Sequence, residues 1–294
     1  MLYFEEGKKS STRRVWKIYL FGKLLGRSVI THEGDDHEDL DSIFLTLNAK
    51  SRGKGFGWKA FGAVSLLSGL GEINAEAAKK NKSSIKSLLR AGFVEQDNNN
   101  TQFSCSFTSP NPKPMSVKRF TESLENSFWI DYVDFMVNKS RRVIRTVLKE
   151  SINPGKYVID SLGIYMTVDE QNFAVIGYNP NICDEILKLD QSAELSHTIG
   201  LYLGYPECCR QPIENDPDID VDKYEESYNS SAKKGLLDLS NYYEGNSLIS
   251  HIPCNPDCED SKVVARNTLD FLESNGLSSC LQVEELVITR FVKV

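Results

Sequence analysis

The chain has 294 residues, of which 40% are hydrophobic, and its mean hydropathy is -0.35. It contains no apolar run near the length needed to cross a bilayer and no signal-peptide pattern, so we expect a cytoplasmic protein without membrane contact. Seven cysteines in a chain of this length indicate reduced thiols or metal ligands rather than a disulfide scaffold.

Charge separates two parts of the chain. Residues 1–110 carry 16 Lys and Arg against 12 Asp and Glu, whereas residues 111–294 carry 18 against 29. The negative charge of the second part does not indicate a nucleic-acid partner. Between these parts, the prolines of TSPNPKPMS keep the backbone extended. We therefore predict an N-terminal domain over 1–108, a Pro-rich linker over 109–116 and a C-terminal domain over 117–294.

Three strands and a helix are predicted first. Val15–Phe21 and Leu25–Thr31 are rich in β-branched and aromatic residues and are separated by a short turn, which predicts a hairpin. The polar loop HEGDDHED leads into a third strand, Ser42–Leu47. That strand ends at the sequence RGKGFG, and Trp58–Ser68 then repeats apolar residues with helical spacing.

A strand, a glycine-rich turn and a helix N-terminus form an anion site, because unpaired N–H groups meet there and the missing side chains let a phosphate approach. The spacing does not fit a dinucleotide fingerprint, since Trp58 occupies its third glycine position, and a Walker loop needs Ser or Thr after Gly-Lys. It does fit Arg-x-x-Gly-x-Gly, formed by Arg52, Gly55 and Gly57. This motif resembles the pyrophosphate loop of the GNAT acyltransferase superfamily.

A second motif strengthens the resemblance. The segment NKSSIKSLLRAGF, residues 81–93, resembles the GNAT helix that opens with Asn and ends with Gly-Phe. The resemblance covers residues 14–107 and implies an α/β fold, in which helices accompany a GNAT-like mixed sheet.

The resemblance implies binding of acetyl-CoA or another acyl-CoA and transfer of the acyl group to an amine, as in an N-acetyltransferase. Pantetheine would pair like an added strand at an edge left open by a splayed sheet, and a backbone N–H near Leu47 would stabilise the oxyanion. A small amine, a protein amino group and a modified nucleobase all remain open as acceptors. The residues implied to bind the cofactor are Leu45, Thr46, Leu47, Arg52, Gly53, Lys54, Gly55, Phe56, Gly57 and Asn81.

Two departures from the family pattern leave a rival interpretation. Leu89 stands where the family commonly has the tyrosine that protonates the leaving thiolate, and only about thirteen residues precede the first predicted strand, too few for the usual acceptor site. Candidate bases are His32, Glu33 and His37, although a solvated acidic loop is the simpler interpretation of this segment. The rival to an enzyme is a non-catalytic acyl-CoA-binding module fused to a metal-binding domain.

The C-terminal domain is predicted to be α+β. Apolar residues over 116–150 step by three or four, which predicts one long core helix that ends at the Asn-Pro-Gly sequence of residues 153–155. The segment GIYMTVDEQNFAVIGY predicts a hairpin, and Ile182–Leu203 predicts further helix.

Two short segments hold most of the chemistry of this domain. They are ELSH with LGYPECCR, within 194–210, and HIPCNPDCEDS, 251–261. They resemble the GYPxCC and HxPCxxxC motifs of an uncharacterised family, and the resemblance predicts that they meet in space. Thiolates and imidazole suit zinc or an iron–sulfur cluster. The candidate ligands are Cys208, Cys209, His251, Cys254 and Cys258, with Glu194 or His197 as substitutes.

The cysteines leave alternatives open. Adjacent side chains such as Cys208 and Cys209 diverge, so we expect a single small ion to take only one of them, whereas a multi-iron cluster takes both. Cys254 and Cys258 are one turn apart if a helix begins near Pro256. Buried or disulfide-linked cysteines and a nucleophilic cysteine are the other interpretations. Three isolated cysteines are predicted to lie in the core: Cys105, Cys183 and Cys280.

Overall fold

The computed structural model describes residues 1–7, 9–35, 38–96, 101–191, 196–216, 218–231 and 235–292. The chain divides into two compact units, which we call unit 1 and unit 2. Unit 1 consists of Met1–Phe120, Pro154–Thr167 and Ile176–Cys183, and unit 2 of Thr121–Asn153, Val168–Val175 and Asp184–Val294. None of the helices in the described ranges is long and apolar enough to span a membrane.

The strands are β1 Leu2–Glu6, β2 Arg13–Leu20, β3 Lys23–Asp35, β4 Glu38–Leu47, β5 Glu72–Ala78, β6 Val94–Glu95, β7 Gln102–Thr108, β8 Lys113–Met115, β9 Val143–Val147, β10 Gly155–Ile159, β11 Ile164–Val168 and β12 Phe173–Gly177. The helices are α1 Phe56–Leu67, α2 Lys82–Ala91, α3 Val117–Glu122, α4 Phe128–Val137, α5 Pro180–Gln191, α6 Ser196–Tyr202, α7 Glu207–Glu214, α8 Val221–Ser231, α9 Glu259–Ser274 and α10 Leu281–Phe291.

The first sheet is mixed. Its seven strands follow the order β1-β2-β3-β4-β5-β7-β6, and β4 with β5 is its parallel pair, whereas the other neighbours are antiparallel. The second sheet has the order β8-β10-β11-β12-β9. Two sheets accompanied by helices, with a cysteine cluster in another region of the chain, confirm the predicted combination of a mixed-sheet α/β part and an α+β part.

Strands β4 and β5 are paired over only a short length. Their register contains the single pair Ser42 and Asn74, so the two strands separate beyond it. A parallel pair with so few ladder bonds leaves strand backbone without a partner on one side. The opening faces the end of β4, where the glycine loop begins.

Helix α1 is the core helix of unit 1. Ten of its residues are buried, including Phe61 and Val64. Phe61 meets Phe93 edge to face, with ring centroids 6.1 Å apart. On another side, a Cβ at Gly62 would lie 2.0 Å from the carbonyl oxygen of Tyr178, so only glycine permits this close approach.

The core of unit 2 contains a buried charge network centred on Arg141. Its guanidinium donates to Asp131 and Asp134 on α4 and to the hydroxyl of Ser250. Tyr242 donates a further bond to Asp131 at 2.8 Å. Burial raises the pKa of Asp131, and the charge of Arg141 opposes this shift. Such a network is costly to break, because each removed partner leaves another group buried without compensation.

Several sequence predictions need correction. The pattern over 116–150 forms α3, α4 and strand β9 rather than one helix, because Val143, Ile144 and Val147 are β-branched and favour a strand. Strand β1 was not predicted, and β3 and β4 extend into the segment expected to be a polar loop. The two predicted hairpins, β2 with β3 and β11 with β12, are confirmed.

Candidate functional site

The glycine loop joins β4 to α1. A turn of 3-10 helix, Ala49–Ser51, follows β4, and Gly53 and Gly55 then adopt φ angles of 71° and 83°. This left-handed conformation costs other residues about 1–2 kcal/mol but suits glycine. Gly55 is the N-cap of α1, and no side chain caps this helix. No capping side chain therefore competes with an anion at the N-terminus of α1.

The glycines of this loop differ in what surrounds them. A Cβ at Gly57 would lie 2.9 Å from Oγ of Ser87 on α2, so Gly57 also serves the close packing of α1 on α2. A Cβ at Gly53 would meet nothing within 4 Å. Gly53 consequently tests the loop as a ligand site without disturbing helix packing.

The backbone of β4 presents unpaired groups to the opening. The N–H of Asn48 donates to the Leu25 carbonyl on β3 at 2.7 Å. Because backbone direction alternates along a strand, Leu45 and Leu47 point away from β3, toward β5, whereas Thr46 points toward β3. The Leu47 carbonyl accepts from Nε of Arg52 at 3.0 Å, which ties the Arg52 side chain to the end of β4.

The structure also describes three further residues predicted to bind cofactor, Lys54, Phe56 and Asn81. Asn81 is the N-cap of α2, and its Oδ1 accepts the N–H of Ser84 at 3.2 Å, so its amide nitrogen remains as a donor. Lys54 is exposed. The side chain of Phe56 is buried, so this residue offers only its backbone N–H.

The candidate bases are only partly described. His32 lies opposite Asp41 in the β3–β4 ladder, and its Nδ1 is 3.2 Å from Oδ1 of Asp41. A carboxylate at this distance orients an imidazole. Glu33 is in β3 but its side chain lies outside the described residues, as does His37 altogether. Leu89 is exposed on α2.

Four of the five predicted metal ligands meet in unit 2. Cys208 and Cys209 lie in the first turn of α7, Cys258 is the N-cap of α9, and Cys254 precedes it. The four sulfur atoms, which we call the four-cysteine cluster, all lie within 4.8 Å of one another. Cys258 lies 3.6 Å from both Cys208 and Cys209, which are 3.8 Å apart. Helix α9 begins at Glu259, so Cys254 and Cys258 do not lie one turn apart on a helix.

These distances correct the expectation that the adjacent thiols diverge. Helical side chains tilt toward the helix N-terminus, so Cys208 and Cys209, in the first turn of α7, both reach past its end. A tetrahedral ion with metal–sulfur bonds of about 2.3 Å separates its ligands by roughly 3.8 Å. An iron–sulfur cluster places several atoms between its cysteines and holds them farther apart. The spacing therefore suits one ion.

Hydrogen bonds also surround the sulfurs. Cys209 accepts the backbone N–H of Cys254 at 3.4 Å, and Ser261 Oγ lies 3.2 Å from Cys209 and donates to Cys258 at 3.3 Å. Burial raises the pKa of the Cys209 thiol to about 12. At Cys258, burial acts in the same direction, but bonds from Ser261 and the neighbouring cysteines outweigh it and lower the pKa to about 7. Donors of this kind stabilise thiolates.

His251 lies behind the four-cysteine cluster rather than within it. Its Nε2 is 2.8 Å from Oγ of Ser261, the hydroxyl that contacts Cys209 and Cys258. Burial, followed by the charge of Arg141, lowers the pKa of His251 to about 3, so the imidazole is neutral. Sequence reasoning missed Ser261, although its place one turn after Cys258 is a usable signal. Glu194 and the side chain of His197 lie outside the described residues.

The remaining thiols are separate from this group. All seven cysteines fall within the described ranges, and none forms a disulfide. Cys105, Cys183 and Cys280 are buried, as predicted. A disulfide-linked arrangement is therefore absent from the structure, and the four-cysteine cluster is left as a candidate for a metal or as a set of packed thiols.

Comparisons with known proteins give only partial structural matches. No protein-family model matches the sequence, and no curated protein matches it. About a third of the chain resembles GNAT N-acetyltransferases in solved structures. PseH of Campylobacter jejuni, in complex with acetyl coenzyme A, has 12% identity and a TM-score of 0.29, over 34% of this chain and 70% of that one.

Two further matches are similar in extent. Spermidine N-acetyltransferase of Vibrio cholerae, in complex with CoA and spermine, has 15% identity and a TM-score of 0.29, over 34% of this chain and 68% of that one. RimJ of Mycobacterium smegmatis, in complex with CoA-disulfide, has 18% identity and a TM-score of 0.29, over 33% of this chain and 54% of that one.

Proposed function

We propose that the chain is a CoA-dependent N-acyltransferase, with acetyl-CoA as donor and an amine as acceptor. One observation carries the proposal: the uncapped, glycine-built N-terminus of α1 lies directly after the strand whose partner has separated. The first feature suits a pyrophosphate and the second suits an extended amide chain. CoA contains a pyrophosphate followed by the amide chain of pantetheine, so the first would lie at the helix N-terminus and the second along β4.

The chain's own groups have defined roles in this proposal. The amides of Gly53–Gly57 bind the pyrophosphate, assisted by the exposed Lys54. The N–H groups of Leu45 and Leu47 bind the pantetheine arm and the thioester oxygen, and the amide of Asn81 adds a donor. Arg52 fixes the end of β4 through the Leu47 carbonyl. The amine attacks the acyl carbon of the thioester, the C–S bond breaks as the C–N bond forms, and the CoA thiolate leaves and takes a proton from water.

Proton removal from the amine is assigned to His32, oriented by Asp41. His32 is partly exposed, so water reaches it and can relay the proton. The acceptor itself is an amine of unassigned identity.

Calorimetric titration with acetyl-CoA tests donor binding, and thioester consumption with a panel of amines tests transfer. Saturable binding with consumption that depends on an amine supports the proposal. Absence of binding at about 1 mM acetyl-CoA contradicts it, because a dissociation constant of about 1 mM already corresponds to a binding free energy of only about -4 kcal/mol.

A non-catalytic acyl-CoA-binding module is the second candidate, and two observations favour it. Leu89, at the position of the family's general acid, cannot donate a proton. The described residues between β1 and β2 contain no helix, whereas the family builds its acceptor site from helices there. Binding of acetyl-CoA without thioester consumption by any amine would favour this candidate.

We further propose that the four-cysteine cluster holds one zinc ion in a structural role. Cys208, Cys209, Cys254 and Cys258 would occupy all four tetrahedral positions, which leaves no open position for a substrate. Elemental analysis of protein purified without oxygen tests this proposal. One equivalent of zinc supports it. Less than about a tenth of an equivalent of any metal identifies the cluster as packed thiols instead.

A further inference from the structure

Unit 2 contains a cavity of about 540 Å³, a volume in the range of small-molecule sites. Tyr205, Tyr242 and Tyr243 line it together with aliphatic residues such as Ile199 and Leu239. We call it the tyrosine cavity. Cys209 and His251 also line it, so it borders the four-cysteine cluster. No role proposed above uses this space.

His251 presents an unpaired nitrogen to the tyrosine cavity. The residue is only 6% exposed, and its Nε2 is bonded to Ser261. Because the Ser261 hydroxyl donates to Cys258, it accepts from His251, which places the imidazole proton on Nε2. Nδ1 is then an acceptor, and no group in the described ranges donates to it. Because His251 lines the cavity, Nδ1 is available to a donor from an occupant.

Two guanidinium groups offer donors to the same space. Nε of Arg145 bonds both carboxylate oxygens of Asp190 at 2.9 Å, which fixes the group and leaves its terminal nitrogens available. Arg210 donates from Nε to the Tyr205 carbonyl at 3.3 Å and from one terminal nitrogen to Glu214, so its other terminal nitrogen remains. Terminal guanidinium nitrogens are suited to a carboxylate.

Three carboxylates also line the cavity: Asp190 and Glu214 are paired with the two guanidinium groups, whereas Glu225 is weakly engaged. Glu225 accepts a single long bond, 3.5 Å, from the hydroxyl of Tyr243. A simple anion in the cavity would meet this carboxylate, and a simple cation would meet the two guanidinium groups. A ligand with both charges satisfies both sets of groups, and an ammonium also provides a donor for Nδ1 of His251.

We propose that the tyrosine cavity binds a zwitterion of the amino acid class. Its carboxylate lies on Arg145 and Arg210, its ammonium on Glu225 and Nδ1 of His251, and its side chain against the tyrosine and aliphatic walls. The hydrogen bonds from His251 through Ser261 to Cys258 connect this ligand to the four-cysteine cluster. The site is independent of the proposed acyl-CoA site.

Binding is tested on the full chain, purified with its metal. The twenty common L-amino acids are titrated individually by NMR, and the tightest is then compared with its deaminated carboxylic acid and its decarboxylated amine. We expect both analogues to bind at least about tenfold more weakly. Equal binding of either analogue, or no binding of any amino acid at about 10 mM, overturns the proposal.

Matched variants locate the site. Arg145→Gln and Glu225→Gln should each weaken binding at least about tenfold, whereas Arg142→Gln and Glu226→Gln, exposed neighbours that do not line the cavity, should leave it unchanged. The ¹⁵N signal of His251 Nδ1 should shift on saturation. Unchanged binding in folded Glu225→Gln, or an unmoved Nδ1 signal, contradicts the assignment.

Discussion

The glycine loop of unit 1 and the four-cysteine cluster of unit 2 are built in opposite ways. The loop consists of backbone N–H groups that the chain leaves unpaired, and its key residues contribute by lacking side chains. The cluster consists of side chains, brought together from α7 and the start of α9 across about fifty residues of sequence. The first site is local in sequence, whereas the second exists only after folding.

This difference predicts different responses to substitution. A backbone site tolerates most side-chain changes and is sensitive to bulk or charge placed in its space. A side-chain site loses a ligand with each substitution, and an ion bound there contributes to folding because the unfolded chain has no preformed site. Substitutions in the two regions therefore test this contrast.

Cys258→Ser should have the largest effect. Structural zinc contributes about 10–16 kcal/mol in small domains, so we expect loss of the bound metal and a fall in melting temperature of more than about 10 °C. Elemental analysis and thermal unfolding measure both quantities. Cys105→Ser, at a buried thiol outside the four-cysteine cluster, is the control and should keep its metal. Full metal content in Cys258→Ser would show that this thiol is not a ligand.

Arg141→Met should come next, because it leaves Asp131 and Asp134 buried without their cation. Breaking such a pair costs about 3–5 kcal/mol. Denaturant unfolding measures this loss. The variant should still bind acetyl-CoA in unit 1. A parallel loss of that binding would show that the acetyl-CoA site depends on the Arg141 network.

Gly53→Glu should lower affinity for acetyl-CoA at least about tenfold, or about 1.4 kcal/mol, because it places a carboxylate where the pyrophosphate binds. Gly69→Glu is the matched control. Gly69 has φ of 69°, against 71° for Gly53, and a Cβ at either position meets nothing within 4 Å. Gly69 follows the other end of α1, so backbone strain is equal and only position differs. Equal affinities in the two variants would remove the loop from the binding site.

Asn81→Ala should have the smallest effect, about 1 kcal/mol of stability, because it removes the N-cap of α2. Asn81→Ser restores a capping oxygen but not the amide donor. Its stability should therefore return, while its acetyl-CoA affinity stays below that of the wild type. If the serine variant recovers both properties, Asn81 acts only as a cap.

The contrast between the sites also explains what the sequence could predict. The strand, the glycine turn and the Asn81 cap are local signals, and strands β2 to β4 with helices α1 and α2 could be inferred from them, whereas the mixed sheet was implied by the resemblance. The direction of Cys208 and Cys209 depends on their position in the first turn of α7, which the sequence does not specify. Ser261 and the Arg141 network depend on packing between distant segments, so periodicity gave no indication of either.

The break in the long helical pattern has a similar cause. Over residues 116–150 the spacing of apolar residues fits a helix, yet Val143 and Ile144 are buried in strand β9. In a segment as short as β9, the spacing of apolar residues does not distinguish a helix from a strand, and tertiary contacts favour the strand. β1 was missed because five residues near the chain start give too little alternation to detect.

The separation of β4 from β5 has a consequence for mutational scanning. The groups that face the opening at Leu45 and Leu47 are amides, which every residue except proline retains. An alanine scan would therefore pass over this strand with little change in ligand affinity. Proline at position 47, in contrast, would delete the donor that faces the opening. The side chains at positions 45 and 47 could thus vary without loss of ligand binding, because only their backbone N–H groups would contact the ligand.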